Sequence, residues 1–108
     1  MFYTYFQMDK KKIDLQIEKQ RKYIISSIVA EYFKEKHNAH VYKVVTSKGN
    51  IFESIKILMK VDFLSIKDIK SFSCIFASNG YFITNLDDLQ INFFENKLIE
   101  ISFNFYEN

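Results

Sequence analysis

Apolar residues recur at helical spacing up to residue 36 and at alternate positions beyond residue 40, and this one change of period governs what the chain can fold into. Ile13, Ile17, Ile24, Ile28 and Tyr32 form a stripe that Ile25, Val29 and Phe33 widen. The spacing predicts one long helix over 9–36, with Asn38 as its stop. At about 100° per residue the stripe drifts by roughly a quarter turn between its ends, which suits a long helix lying across a twisted sheet. The aromatic run 1–6 reads as a short N-terminal strand.

Past residue 40 the runs 40–46 and 51–63 read as strands. In the second, Ile55, Ile57, Met59, Val61 and Phe63 share a face, with Lys56, Lys60 and Asp62 on the other. A two-residue loop at Lys48-Gly49 would set Tyr42 opposite Ile55 and Val44 opposite Glu53. Asn79-Gly80 is a strong hairpin dipeptide, and a two-residue loop there pairs Phe76 with Ile83 and Ala77 with Phe82. Phe72, Cys74, Phe76, Tyr81 and Ile83 then form one core face. A third hairpin follows from parity. Leu89, Ile91 and Phe93 alternate with polar residues, as do Ile99, Ile101, Phe103 and Phe105, so apolar meets apolar only across an odd loop. Glu95-Asn96-Lys97 supplies it, pairing Phe93 with Ile99, Ile91 with Ile101 and Leu89 with Phe103.

The predicted class is α+β: one long N-terminal helix packed on a curled antiparallel β-meander, expected as a single domain over 1–108. In element order this plan resembles the cystatin-like class of folds. The length suits one core without staples, and Cys74 is the only cysteine, so no intramolecular disulfide forms. No apolar run reaches the roughly 18 residues of a membrane span, and the N-terminus lacks the features of a signal peptide. A cytoplasmic protein is expected. Phe and Tyr make up 18% of the chain, but the favoured residue types share AT-rich codons, so their abundance is no functional signal by itself.

Charge is divided along the chain. Residues 1–60 carry twelve Lys or Arg against six Asp or Glu, and residues 61–108 carry three against seven. Lys11, Lys12, Lys19 and Lys22 fall within about 100° around the helix axis, a stripe that would suit phosphates. The same arc lies almost opposite Ile13, Ile17 and Ile24, where an amphipathic helix keeps its solvated charges, and Asp14 and Glu18 dilute it. Gly49 and Gly80 both have turn duties, which leaves no phosphate-cradling loop.

Few residues suggest catalysis. His37 and His40 stand three apart where the helical register ends, with no Cys or acid at ligand spacing, so no metal site is expected. Cys74 is expected buried and inert beside Phe72 and Phe76. Asp87-Asp88 reads as a turn. No catalytic residue and no cofactor is assigned. Phe52, Phe82, Phe94 and Tyr106 fall on strand faces opposite the expected core, where grouped aromatics mark an interface.

The reading is a small non-enzymatic protein-binding module of the inhibitor, immunity or adaptor type, acting through an outer sheet face or an edge strand. Nucleic-acid binding through the basic helix is the alternative, and a ligand or catalytic cavity between helix and sheet is the third. The segment 98–106, unguarded except by Glu100, is expected at a sheet edge, supporting a homodimer through the sheet rather than through Cys74.

Overall fold

The computed structural model describes the backbone over residues 2–107 and the side chains over residues 12–107. It is α+β, with two helices and an antiparallel five-stranded sheet. Helix α1 covers Phe2–His37. Of the strand expected over the first six residues, 2–6 belong instead to this helix, with neither Gly nor Pro to interrupt the chain before Gly49, and Met1 lies outside the described residues. The stop is as expected. Asn38 adopts φ 51°, its N–H donates to the Lys34 carbonyl at 3.1 Å, and Lys34, Lys36 and His37 sit favourably in the last turn.

At 1.5 Å per residue α1 is about 54 Å long, and the molecule measures 58 × 25 × 22 Å. Only the second half of α1 lies on the sheet. Ile25, Val29, Tyr32 and Phe33 are buried, while Ile13, Ile17 and Ile24 are 54%, 56% and 49% exposed. The first half projects as an arm, and the radius of gyration, 16.5 Å, exceeds the roughly 13 Å of a compact chain this long.

The strands are β1 (His40–Lys48), β2 (Glu53–Lys60), β3 (Tyr81–Ile83), β4 (Gln90–Phe93) and β5 (Leu98–Glu107). The sheet order is β1-β2-β5-β3, with β4 also on β5. The three-residue loop is found as predicted: Phe93 faces Ile99 and Ile91 faces Ile101, with Asn96 and Lys97 at positive φ. β4 begins at Gln90, so Leu89 packs on the core without a ladder pair. The last strand is not an edge. It pairs with β2 over Leu98–Phe105 and with β3 and β4 on its other side. This arrangement aligns Ile55, Ile57 and Met59 with Phe103, Ile101 and Ile99 as one apolar face. Val61 is buried just past β2, but Phe63 lies beyond the strand and is exposed.

The β1–β2 register also departs from the expected one. Val44 faces Ile57, Thr46 faces Ile55 and Lys48 faces Glu53, around a four-residue turn closed by Gly49 N–H to Phe52 O at 2.9 Å. A Cβ at Gly49 would come within 2.7 Å of the Phe52 carbonyl oxygen, so the turn needs glycine. The longer turn sets Val44 against Ile57 instead of Glu53 and frees that carboxylate for α1.

The largest correction lies between β2 and β3. Residues 66–78 form helix α2 (Ile66–Ser78), not a strand. Phe72 and Phe76 are four apart, a spacing that suits either period, and Ile69 and the cap decide for helix. Ser65 and Asp68 form a reciprocal capping box. Asn79-Gly80 ends the helix: Gly80 sits at φ 89°, its N–H bonds the Ala77 carbonyl at 2.9 Å, and Asn79 Nδ2 donates to Ile75 O. Cys74, two residues from each phenylalanine, is turned about 160–200° away from them and is exposed rather than buried.

Both helices cover the same sheet face. Phe33 meets Phe72 at 5.1 Å between ring centroids, Phe72 meets Phe76 at 5.2 Å, and Phe76 meets Phe105 at 5.5 Å. Phe76→Ala should therefore cost about 3–5 kcal/mol in denaturant unfolding. Cys74 should react stoichiometrically with a thiol reagent in the native protein, and unfolding-limited labelling would contradict α2.

The Ser65 backbone N–H and hydroxyl hold the Asp68 carboxyl below its ordinary range. A depressed carboxyl stabilises above its unfolded value, and that contribution disappears as pH falls through the folded one. Asp68→Ala should cost about 1 kcal/mol at neutral pH. The difference from wild type should close on acidification, measured as paired denaturation curves.

Candidate protein-interaction surfaces

The four aromatics proposed from sequence do not form one patch. Phe82 faces Tyr106 across β3 and β5, and their rings stack at 5.5 Å on the face away from the helices. Phe52 is exposed in the β1–β2 turn, one step past the Glu53–Phe105 pair and so at the same end of the sheet. Phe94 lies in the β4–β5 turn, opposite Leu98, eight residues along β5 from Tyr106 and about 26 Å away. Lys56 and Lys60 of β2 and Glu100, Ser102 and Asn104 of β5 occupy the surface between these ends. Polar and charged residues thus separate the aromatic ends of the outer face, where Val45 and Leu58 are the apolar exceptions.

Lys12, Lys19 and Lys22 are exposed on the arm, and the Lys11 side chain lies outside the described residues. Their surroundings are mixed in charge. An open groove of about 740 Å³ between the arm and the end of β1 is lined by Asp14, Leu15, Glu18 and Lys22 together with Thr46, Ser47 and Lys48. Lys48 Nζ donates to Glu18 Oε2 at 3.1 Å, which holds that carboxyl below its usual range.

Arg21, the only arginine, ties the arm's base to the sheet. Its Nη1 donates to Glu53 Oε2 at 2.9 Å, Nη2 to Glu53 Oε1, and Nε to Glu107 Oε2 at 2.6 Å. The guanidinium lies over the Tyr81 ring, 5.9 Å from its centroid, and is 14% exposed. Hydrogen bonds to Glu53 raise its pKa further still. Basic helix thus meets acidic strand within one chain at this point, as the division of charge along the chain allows.

The residues weighed for catalysis stay apart. The His37 ring packs on Tyr32 at 5.5 Å and on Phe33, and the His40 ring on Tyr42 at 4.4 Å. Asp87 and Asp88 lie in a 3-10 turn, Leu86–Asp88, where Asn85 Oδ1 accepts from the Asp87 N–H. Among the described residues no three His, Cys, Asp or Glu side chains are grouped to hold a metal, and no helix is long and apolar enough to cross a membrane.

The open edge of β4 combines backbone and apolar features. Phe94 N–H donates to Leu98 O at 2.8 Å toward β5. By antiparallel alternation the N–H and C=O groups of Ile91 and Phe93 point the other way, to the open edge. Beside them a groove of about 320 Å³ runs between α2 and β4, with Ile66, Ile69, Leu86, Leu89 and Ile91 as walls and Lys70 and Asp87 at its rim. Phe93 continues that face and is 76% exposed. Nothing charged or bulged guards Gln90–Phe93. The β1 edge differs: it carries a bulge at Tyr42 with Lys43 and Lys48. Sequence parity found β4 itself, but the groove depends on α2, which was read as a strand.

Comparison with protein-family models, curated proteins and solved structures finds no match.

The clamp and the lysine stripe should separate in stability measurements. Arg21→Ala strands the Glu53 carboxylate, only 16% exposed, and should cost about 2 kcal/mol. Arg21→Lys should recover little, lacking the fork that reaches two carboxylates. Lys12→Ala, Lys19→Ala and Lys22→Ala should each stay within about 0.5 kcal/mol of wild type by denaturant titration.

Proposed function

We propose that this protein is a non-enzymatic binding module that takes an extended segment of a partner protein onto β4. The observation carrying this reading is the conjunction at one edge of outward-facing backbone groups, from Ile91 and Phe93, with an apolar groove. Strand addition draws affinity from main-chain hydrogen bonds and specificity from pockets that take alternate side chains. The segment's apolar side chains enter between Ile66 and Leu89, while Lys70 and Asp87 favour complementary charges at the rim. An inhibitor, immunity or adaptor protein works in this way, by occupying or presenting one partner.

A second reading rests on the same groove. Its volume falls at the lower end of small-ligand pockets, and its apolar walls with Lys70 and Asp87 at the rim suit a small apolar ligand with a polar end. The basic arm as a nucleic-acid site has weaker support, because Asp14 and Glu18 share its groove with Lys22.

Affinity capture from the native host, with proteins and nucleic acids both identified, tests the reading. Phe93→Lys, at an exposed position, should abolish capture of a protein retained by wild type and by a Lys12→Ala/Lys19→Ala/Lys22→Ala variant. Capture of nucleic acid lost steeply with salt, and lost in the lysine variant, would establish the other site instead.

A further inference from the structure

Eight positions of α1 fall within about 60° around the helix axis, residues 6, 10, 13, 17, 24, 28, 31 and 35, and the inner six are Lys10, Ile13, Ile17, Ile24, Ile28 and Glu31. Ile13, Ile17 and Ile24 are about half exposed, Ile28 is partly buried against the core, and Glu31 and Glu35 are exposed, so among the described residues the face is open from Ile13 to Ile24 and again at Glu31. Read in order, these six are one basic residue, four isoleucines and one acidic residue. Lys10 and Glu31, Ile13 and Ile28, and Ile17 and Ile24 are each equidistant from the point between Gln20 and Arg21. The stripe is self-complementary under a two-fold axis through that point.

We propose that α1 pairs antiparallel with α1 of a second copy of this chain along this stripe, a contact separate from the β4 site. Ile17 then packs on Ile24 of the second copy, Ile13 on Ile28, and Lys10 meets Glu31, each contact occurring twice as an isologous interface requires. A stripe this narrow fits another helix, since core-facing or membrane-facing helices present a wider apolar face. Parallel pairing would set lysine on lysine and glutamate on glutamate. Arg21, beside the axis, is held by Glu53 and Glu107 and so brings no free charge to its own copy. The arm gains the tertiary packing that a projecting helix lacks within one chain.

Sedimentation of the full chain at micromolar concentration tests this. Wild type should be a dimer. Ile17→Asp, at an exposed position, should be monomeric and still unfold cooperatively. Lys10→Glu and Glu31→Lys should each weaken the dimer by about tenfold, since each sets two like-charged pairs face to face. The double variant should restore it. A monomeric wild type, a dimer indifferent to Ile17→Asp, or a double variant no tighter than either single would overturn the pairing. So would a dimer that Phe93→Lys dissolves and Ile17→Asp does not.

Discussion

The backbone pairing of β5 along both of its flanks is the constraint from which the other elements take their places. β2 lies on one side of it over eight residues, and β4 and β3 share the other side end to end. Ile99, Ile101, Phe103 and Phe105 consequently sit at the middle of the buried face, where Phe72 and Phe76 of α2 reach Phe103 and Phe105. A strand in that position needs apolar alternation on one face only. The outer parity of β5, with Glu100, Ser102 and Asn104, is free to stay wet.

Packing and electrostatics have separate shares in holding α1. The continuous contact of Phe33, Phe72, Phe76 and Phe105 is the larger, because each ring removes extensive apolar surface from water. Arg21 acts where that contact ends. Its bonds to Glu53 and Glu107 fix the point at which α1 leaves the sheet, and Lys48 with Glu18 extends the link by one helical turn on the more exposed side. Exposed pairs of the second kind contribute little. They set direction more than stability, and the direction they set carries α1 away from the sheet.

Two of the surfaces without an internal partner among the described residues differ in kind. The β4 edge offers hydrogen-bonding groups next to an apolar groove, which suits an extended chain. The arm offers a narrow stripe whose backbone groups, beyond the first turn, are bonded within the helix, which suits side-chain packing by another helix. The β1 edge is blunted by a bulge and two lysines, whereas β4 carries neither.

Sequence by itself determined the features that rest on neighbouring residues or on parity: the stop at Asn38, the inward face of Ile55, Ile57 and Met59, and the odd loop that pairs Phe93 with Ile99. Each follows from backbone geometry over a few residues, which no distant contact can easily reverse. The tertiary structure decided what parity left degenerate. Phe72 and Phe76 satisfy a helix and a strand equally, and the capping box at Ser65 with burial against Phe33 and Phe105 selected the helix, turning Cys74 outward and making the groove. Ile13, Ile17 and Ile24 match the helical period as well as Ile25 and Val29 do, yet only the latter meet a sheet. The aromatics chosen as an interface were separated for the same reason, since alternation assigns a residue to a face but not to an end of the sheet. Whether β5 lies inside or at an edge depends on which strand finds its second flank, a contact between residues some forty to fifty positions apart that no local spacing encodes.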